Sequence, residues 1–357
     1  MIAAIISTAV SRLSDIILSA YIYNSDYRYP CFITFIQFAA LTVFVKAYTL
    51  IRESKCVSRA IKDDDVLSPT TQTLRRPKVS KRFTLLLAAS WFLTRIFFNL
   101  NNVQVRIARA SEAAVPLILL PACSYLGLVH LNAPVAALTL ASSLALIVNG
   151  SVDAEAITAA AVLIQFIKVV SQAAFLTCLT KTIKEHYANP VFALNAYAPT
   201  AAIISLACSI AFEGLVPLHD LPIIGLVILI ENVVIFLASQ LSIAFLLQQS
   251  NVITWSSVSH LVTVSLVIIS SLVTQQAPPL GQSVVTFCSA FLSALLLRTQ
   301  LPEAKKTVHT TPKLHLSKLS SHLDISHVTG LQPLSTPPTL SRTNSSQRMQ
   351  HPQAEEI

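Results

Sequence analysis

Apolar runs of about 20 residues recur along nearly the whole chain, and a run of that length has few ways to fold. The hydrocarbon core of a bilayer is roughly 30 Å thick, a distance that about 20 helical residues cross. Such runs fall at 2–23, 31–51, 83–99, 110–128, 132–149, 154–180, 191–213, 222–248, 252–274 and 279–297. They are too long and too unalternating for barrel strands, and in lipid only helices and closed barrels satisfy every backbone polar group. Of 357 residues, 53% are hydrophobic and 12% charged, with a mean hydropathy of +0.63. The expected fold is therefore an all-α integral membrane protein with ten transmembrane helices.

Basic residues assign the sides. Arg52, Lys55, Arg59, Lys62, Arg75, Arg76, Lys78, Lys81 and Arg82 lie between the second and third runs, Lys181 and Lys184 follow the sixth, and Lys305 and Lys306 follow the tenth. With ten helices these loops share one side, and an excess of Lys and Arg marks it as cytosolic, so both termini are expected in the cytosol. Arg106 and Arg109 run slightly against the pattern. The formal charge of +8 sits in loops and tail, not on a folded soluble face, so nucleic acid is not an expected partner.

A break near residue 150 divides the runs five and five, the count of an inverted repeat. The expected domains are a first five-helix repeat at 1–150 with a basic cytosolic loop at 52–82, a second repeat at 151–298, and a cytosolic tail at 299–357. Self-similarity between the halves is not visible in the sequence, so the repeat rests on counting. The 52–82 loop carries KDDD and SPTTQ and reads as flexible. The tail is rich in Ser, Thr, Pro, His and Gln, too polar for a core, and reads as disordered. Within it KLHLSKLSSHL, residues 313–323, could lie on a membrane surface, though an extended tail fits better. Cys31, Cys56, Cys123, Cys178, Cys208 and Cys288 are scattered without ligand spacing, which implies neither disulfides nor a metal. The first run lacks a basic leader and a cleavage site and reads as a retained helix. Asn149 opens a glycosylation sequon so close to the bilayer that its use is not expected.

Ionisable groups within the runs are the candidate functional residues, because a charge at mid-bilayer costs about 2.5–3.5 kcal/mol on insertion scales. Lys168 lies deep in LIQFIKVVSQAAF; it is expected either to pair with Glu231 or to serve ligand binding or proton coupling. Arg12 and Asp15 are three apart on one helix face, which suggests mutual pairing or a pathway role for Asp15. Arg95 is expected to snorkel to the surface, and Glu112 to sit at the positive end of the fourth helix. In NVITWSSVSHLVTVSLVIISS, His260 shares a face with Ser256, Ser257 and Thr263; this polar stripe could line a cavity or bind neighbouring helices.

Several segments together resemble the triose-phosphate transporter family, sugar-phosphate translocators of the drug/metabolite transporter superfamily. SDIILSAYIYN followed by YPCFIT is similar to the family's first helix and the start of its second. NVQVRIARAS resembles the junction into its fourth helix, LTKTI the exit from its sixth, and YAPTAAIISLACSIAFEG its seventh. SQLSIAFLLQQSNVITWSSVSHLVTVSLVIISSLV resembles its eighth-to-ninth pair. The resemblance spans about residues 10–297, and it rests on order and spacing more than on any one motif.

It implies a ten-helix exchanger that moves phosphorylated or nucleotide-linked sugars by alternating access, in a Golgi or endoplasmic reticulum membrane. It also adds Tyr197, from the seventh-helix segment, to the residues expected to contact solute. The family's substrate-gripping cations, however, fall on Ala20, Leu117, Leu176, Leu261 and Val262. The expected substrate is then a less charged small solute, a monoanion or a neutral polar compound. Two further readings stay open: a non-transporting protein of the same fold that acts through its cytosolic loop and tail, and a proton-coupled exporter with Lys168, Glu231 and His260 as relay. No catalytic constellation, metal site or cofactor site is expected. The bilayer is the other expected partner, and a homodimer is left open.

Overall fold

A computed structural model describes residues 1–24, 27, 29–62, 80–100, 105–151, 159–186, 189–214, 216–219, 223–274 and 280–309. The centre of the basic loop, the expected tail from residue 310 on and the surface helix expected within it lie outside these residues, as do the side chains of Ala20 and Asn149. All regular elements among the described residues are helices: α1 (Ile2–Asn24), α2 (Pro30–Lys62), α3 (Lys81–Leu100), α4 (Val105–Tyr125), α5 (Ala133–Ser151), α6 (Ala159–His186), α7 (Pro190–Phe212), α8 (Val216–His219), α9 (Ile223–Gln249), α10 (Val252–Thr274) and α11 (Leu280–His309). Seven of them, α1, α2, α6, α7, α9, α10 and α11, are long and apolar enough to cross a membrane. Shorter apolar stretches occupy Ser111–Tyr125 of α4 and Ala133–Val148 of α5. The chain is an all-α, multi-pass integral membrane protein.

The helix ends follow local chemistry. At α7, Asn189 is the N-cap, its Oδ1 accepting the Val191 amide at 2.9 Å, and Pro190 opens the first turn, where a missing N–H costs nothing. The same helix stops at Gly214, whose φ of +63° lets its amide and that of Glu213 both return to the Ser209 carbonyl. Glu213 then reaches across to α2, where its two carboxylate oxygens accept the amides of Cys31 and Phe32 at 2.7 and 2.8 Å. One helix's C-terminus thus satisfies orphan donors at another's N-terminus, with a negative charge at the positive end of the dipole.

Small residues set the packing distances, as the scarcity of glycine predicts. The α7 face that includes Ala193, Ala198, Ala201 and Ser205 is fully buried, and α7 runs along α2. Helix α1 lies along α9, α3 along α6, α4 along α5, and α11 against both α5 and α10. An aromatic stack ties the centre together: Trp91 of α3 stacks on Phe175 of α6 at 4.1 Å between centroids, and Phe175 meets Tyr197 of α7 edge-on at 5.4 Å. Helix α11 continues to His309, beyond residue 298, where the sequence turns polar.

Ala198→Leu pushes extra methylenes into this closely packed region and is expected to cost about 1–3 kcal/mol. Ile203→Ala, on an exposed face of the same helix, is expected to change stability little. Thermal unfolding of both variants in detergent micelles checks the difference.

Candidate functional site

Among the described residues, five charged-type side chains are buried in the helical bundle: Arg12, Asp15, Arg95, Glu112 and Lys168. Their pairing differs from what the sequence suggests. Asp15 and Arg95 form a two-pronged ion pair at 2.6 and 2.7 Å between α1 and α3. Arg12 turns from its helix neighbour Asp15 and donates instead to Glu112 of α4 at 2.8 Å. Lys168 pairs with the other oxygen of Glu112 at 3.1 Å and donates to Ser111 at 3.2 Å.

The physical reasons are visible in the helix positions. Side chains three apart point the same way and compete for one partner, whereas partners on facing helices meet head-on. Helix α4 starts at Val105, earlier than the apolar run indicates, so Glu112 lies two turns inside the helix and acts as a buried counter-ion. Arg95 is 1% exposed and does not snorkel; a guanidinium with a carboxylate at hand is better placed there than stretched toward a distant surface. Glu231, proposed from sequence as partner to Lys168, is exposed on α9 and has no partner among the described residues.

The two ion-pair nodes adjoin through one ring. The Arg95 guanidinium lies 4.7 Å from the Phe98 centroid and 4.8 Å from that of Phe236, while Lys168 Nζ lies 5.2 Å from Phe98. From Arg95 a hydrogen-bond chain runs outward: its Nε donates to Gln37, Gln37 donates to Asn232 at 2.6 Å, and Asn232 donates to Ser19. Charges and amides on α1, α2, α3, α4, α6 and α9 therefore form one connected polar interior. Three cations against two carboxylates leave it with a formal charge of +1.

Alongside these partnered groups stand polar atoms without partners among the described residues. Both amide atoms of Gln165 are buried and unbonded, as are Oε1 of Gln172, Nε2 of Gln240 and the hydroxyl of Ser239. Gln165, Lys168 and Gln172 follow at intervals of three and four and so share one face of α6. Gln172 uses its amide nitrogen to bond Glu112 at 3.1 Å, and Tyr197 donates to Gln240 at 3.3 Å. An unsatisfied buried polar group costs about 1–3 kcal/mol, so Gln165 and Gln172 set the lysine-bearing face of α6 apart from the partnered polar groups around it.

The expected stripe on α10 resolves differently. Ser256, Ser257 and Thr263 each bond back to a carbonyl of their own helix at 3.0 Å. His260 bonds across to α5 instead, with Ser142 at 3.1 Å from Nδ1 and Ser143 at 3.0 Å from Nε2. A neutral imidazole has one donor and one acceptor, so one serine accepts and the other donates. Ser142 continues to Ser293 of α11 at 2.9 Å. His260 thus ties α10 to α5 and, through Ser142, to α11, and among the described residues Lys168, Glu231 and His260 share no hydrogen bond or ion pair. Leu176 and Val262, at positions where a cation was looked for, are buried apolar side chains.

Sequence reading missed Glu112 as the shared counter-ion and overlooked the glutamines. The glutamine signal was available, since QFIKVVSQ places Gln165 and Gln172 on the lysine's face.

A membrane-embedded bundle with a charged, amide-lined interior is the class that fold and site define. No protein-family model matches the chain, and no curated protein matches it significantly.

Removing one member of a buried ion pair strands the other. Arg95→Leu is expected to destabilise the protein by about 3–5 kcal/mol, while the double variant Asp15→Leu/Arg95→Leu recovers most of that loss. Thermal melts of the single and double variants measure the coupling.

Proposed function

We propose that the protein is a carrier of the triose-phosphate transporter type, with ten spans in two inverted five-helix halves, that moves a small polar solute bearing at most one negative charge. The observation that carries this reading is the row of unpartnered buried amides beside Lys168, in an interior with a formal charge of only +1. A fixed positive excess of one suits a monoanion, and unbonded donors and acceptors suit hydroxyls or amides. A doubly charged phosphate would ask for more cations than this interior holds free.

Support for two related halves comes from packing. Exchanging α1 to α5, in order, for α6, α7, α9, α10 and α11 turns α1 on α9 into α6 on α3, α4 on α5 into α10 on α11, and α4 on α6 into α10 on α1. The pairs α2–α7 and α5–α11 map onto themselves. A sequence shift of 160 residues (190 less 30) lays Pro30 on Pro190, Phe32 on Phe192, Ser11 on Ser171 and Arg12 on Gln172. The equivalence extends to contacts: Ser11 bonds Ser242 of α9 where Ser171 bonds Thr94 of α3. Arg12 and Gln172 donate to the same Glu112 oxygen. Halves related in this way with a polar site between them suit alternating access. The basic 52–82 loop suits cytosolic termini, and the family resemblance suits a Golgi or endoplasmic reticulum membrane.

One observation favours a second reading. Among the described residues every buried Arg and Lys already has a carboxylate partner, as a static membrane scaffold of the same fold would require. A proton relay through Lys168, Glu231 and His260 has no observation to carry it, since no hydrogen bond or ion pair links them among the described residues.

Uptake into proteoliposomes decides between the first two. The expected result is uptake of sugar acids or neutral polyols and none of nucleotide sugars, with Gln165→Leu reducing uptake about tenfold, the worth of one lost hydrogen bond of about 1.4 kcal/mol. No uptake of any member of that panel would favour the scaffold.

A further inference from the structure

Glu112 is bound as a ligand would be. Its Oε2 accepts from the Arg12 guanidinium at 2.8 Å and from the Gln172 amide at 3.1 Å, and its Oε1 faces the Lys168 ammonium at 3.1 Å. Two cations and an amide on two helices, α1 and α6, thus converge on a carboxylate delivered by a third, α4. A carboxylate needs nothing more for a tight site, since charge-assisted donors fill both oxygens.

The surroundings are not those of a finished salt bridge. On α6, one turn before Lys168, both amide atoms of Gln165 are buried and unbonded, and one turn after it Gln172 has a free Oε1. Gln165 is 5% exposed and Gln172 is 2% exposed. The half of the site that reads a carboxylate is filled by the protein itself, and the half that reads hydroxyls or amides is unbonded.

We propose that Glu112 is an internal competitor: the solute's own carboxylate displaces it from Arg12, Lys168 and Gln172, while the solute's hydroxyl or amide groups bond Gln165 and the free oxygen of Gln172. This rests on the carrier reading and deepens it by naming the solute class, a small polyhydroxy or amide compound with a single carboxylate. Exchange of one carboxylate for another keeps the buried charge balanced around Arg12 and Lys168 as the solute enters. Glu112, once released, carries its displacement to α4, which packs against α5, α6 and α10, so occupancy and helix position are coupled.

A competitor lowers apparent affinity by the fraction of time it holds the site. Binding of gluconate, a polyol with one carboxylate, is measured by its shift of the thermal melt of the purified full chain, for wild type, Glu112→Asp and Glu112→Gln. Aspartate keeps the charge but is one methylene too short to reach all three donors. Displacement therefore predicts that Glu112→Asp binds gluconate several-fold more tightly than wild type, and Glu112→Gln at least about tenfold more tightly. Simple repulsion between Glu112 and the anion predicts a gain for Glu112→Gln only, and that result overturns the proposal. So does a Glu112→Asp affinity equal to or weaker than wild type, or the absence of gluconate binding in all three. If Glu112→Gln does not fold, Glu112→Asp alone decides, because it preserves the counter-charge. Uptake by wild-type protein without any gain in Glu112→Asp would leave the carrier reading standing and remove this one. A gain in both variants with no uptake by wild type would do the reverse.

Discussion

Charge cannot be left alone in hydrocarbon, and this fold is organised around that constraint. Two cations and one carboxylate form one node, and one cation and one carboxylate form the other; all five side chains come from helices that are otherwise largely apolar. Each ion would cost several kcal/mol to desolvate unpaired, so α1, with Arg12 and Asp15, is insertable only in the company of α3 and α4. The interior is therefore a shared property of several helices. Phe98 binds the two nodes into one by offering its ring to Arg95 and Lys168.

Against that background the partnered and unpartnered groups separate into two kinds. His260, Ser142, Ser143 and Ser293 complete one another's hydrogen bonds and hold α5, α10 and α11 together. Gln165 and Gln172 of α6 and Gln240 of α9 leave buried amide atoms unbonded among the described residues. Satisfied polar groups build a bundle; under the proposed carrier reading, the unsatisfied amides are where a solute would bind. The carrier reading takes its force from that asymmetry more than from the presence of a buried lysine.

Much of the architecture was legible because bilayer thickness imposes a length on every span, and length survives sequence change. Among the described residues the long helices fall where the apolar runs do, most ends shifted by a few residues, but α2 continues to Lys62 and α11 to His309, about three turns past the ends of their runs. One of those displacements mattered: moving the start of α4 back to Val105 turned Glu112 from a helix-end residue into the hub of the interior. Pairing was illegible for a related reason. Periodicity tells which residues share a face of one helix, and so it paired Arg12 with Asp15 and grouped Ser256, Ser257 and Thr263 with His260. It is silent on which helix lies opposite, and there the partners Arg95, Glu112, Ser142 and Ser143 are found. The 160-residue register proposed for the two halves was not visible because it rests on single matched pairs, Pro30 with Pro190, Phe32 with Phe192 and Ser11 with Ser171, with no charged signature repeated.

The clasp between α7 and α2 is matched at the other end of the same pair, where the Asn189 side chain donates to the Tyr48 hydroxyl at 3.1 Å. With Glu213 holding the first amides of α2 and Asn189 holding Tyr48 further along it, the two rods are tied beside both ends of α7 and resist sliding past one another. Any motion that alternately opens the two sides must treat them as a single axle, with the remaining helices swinging about it.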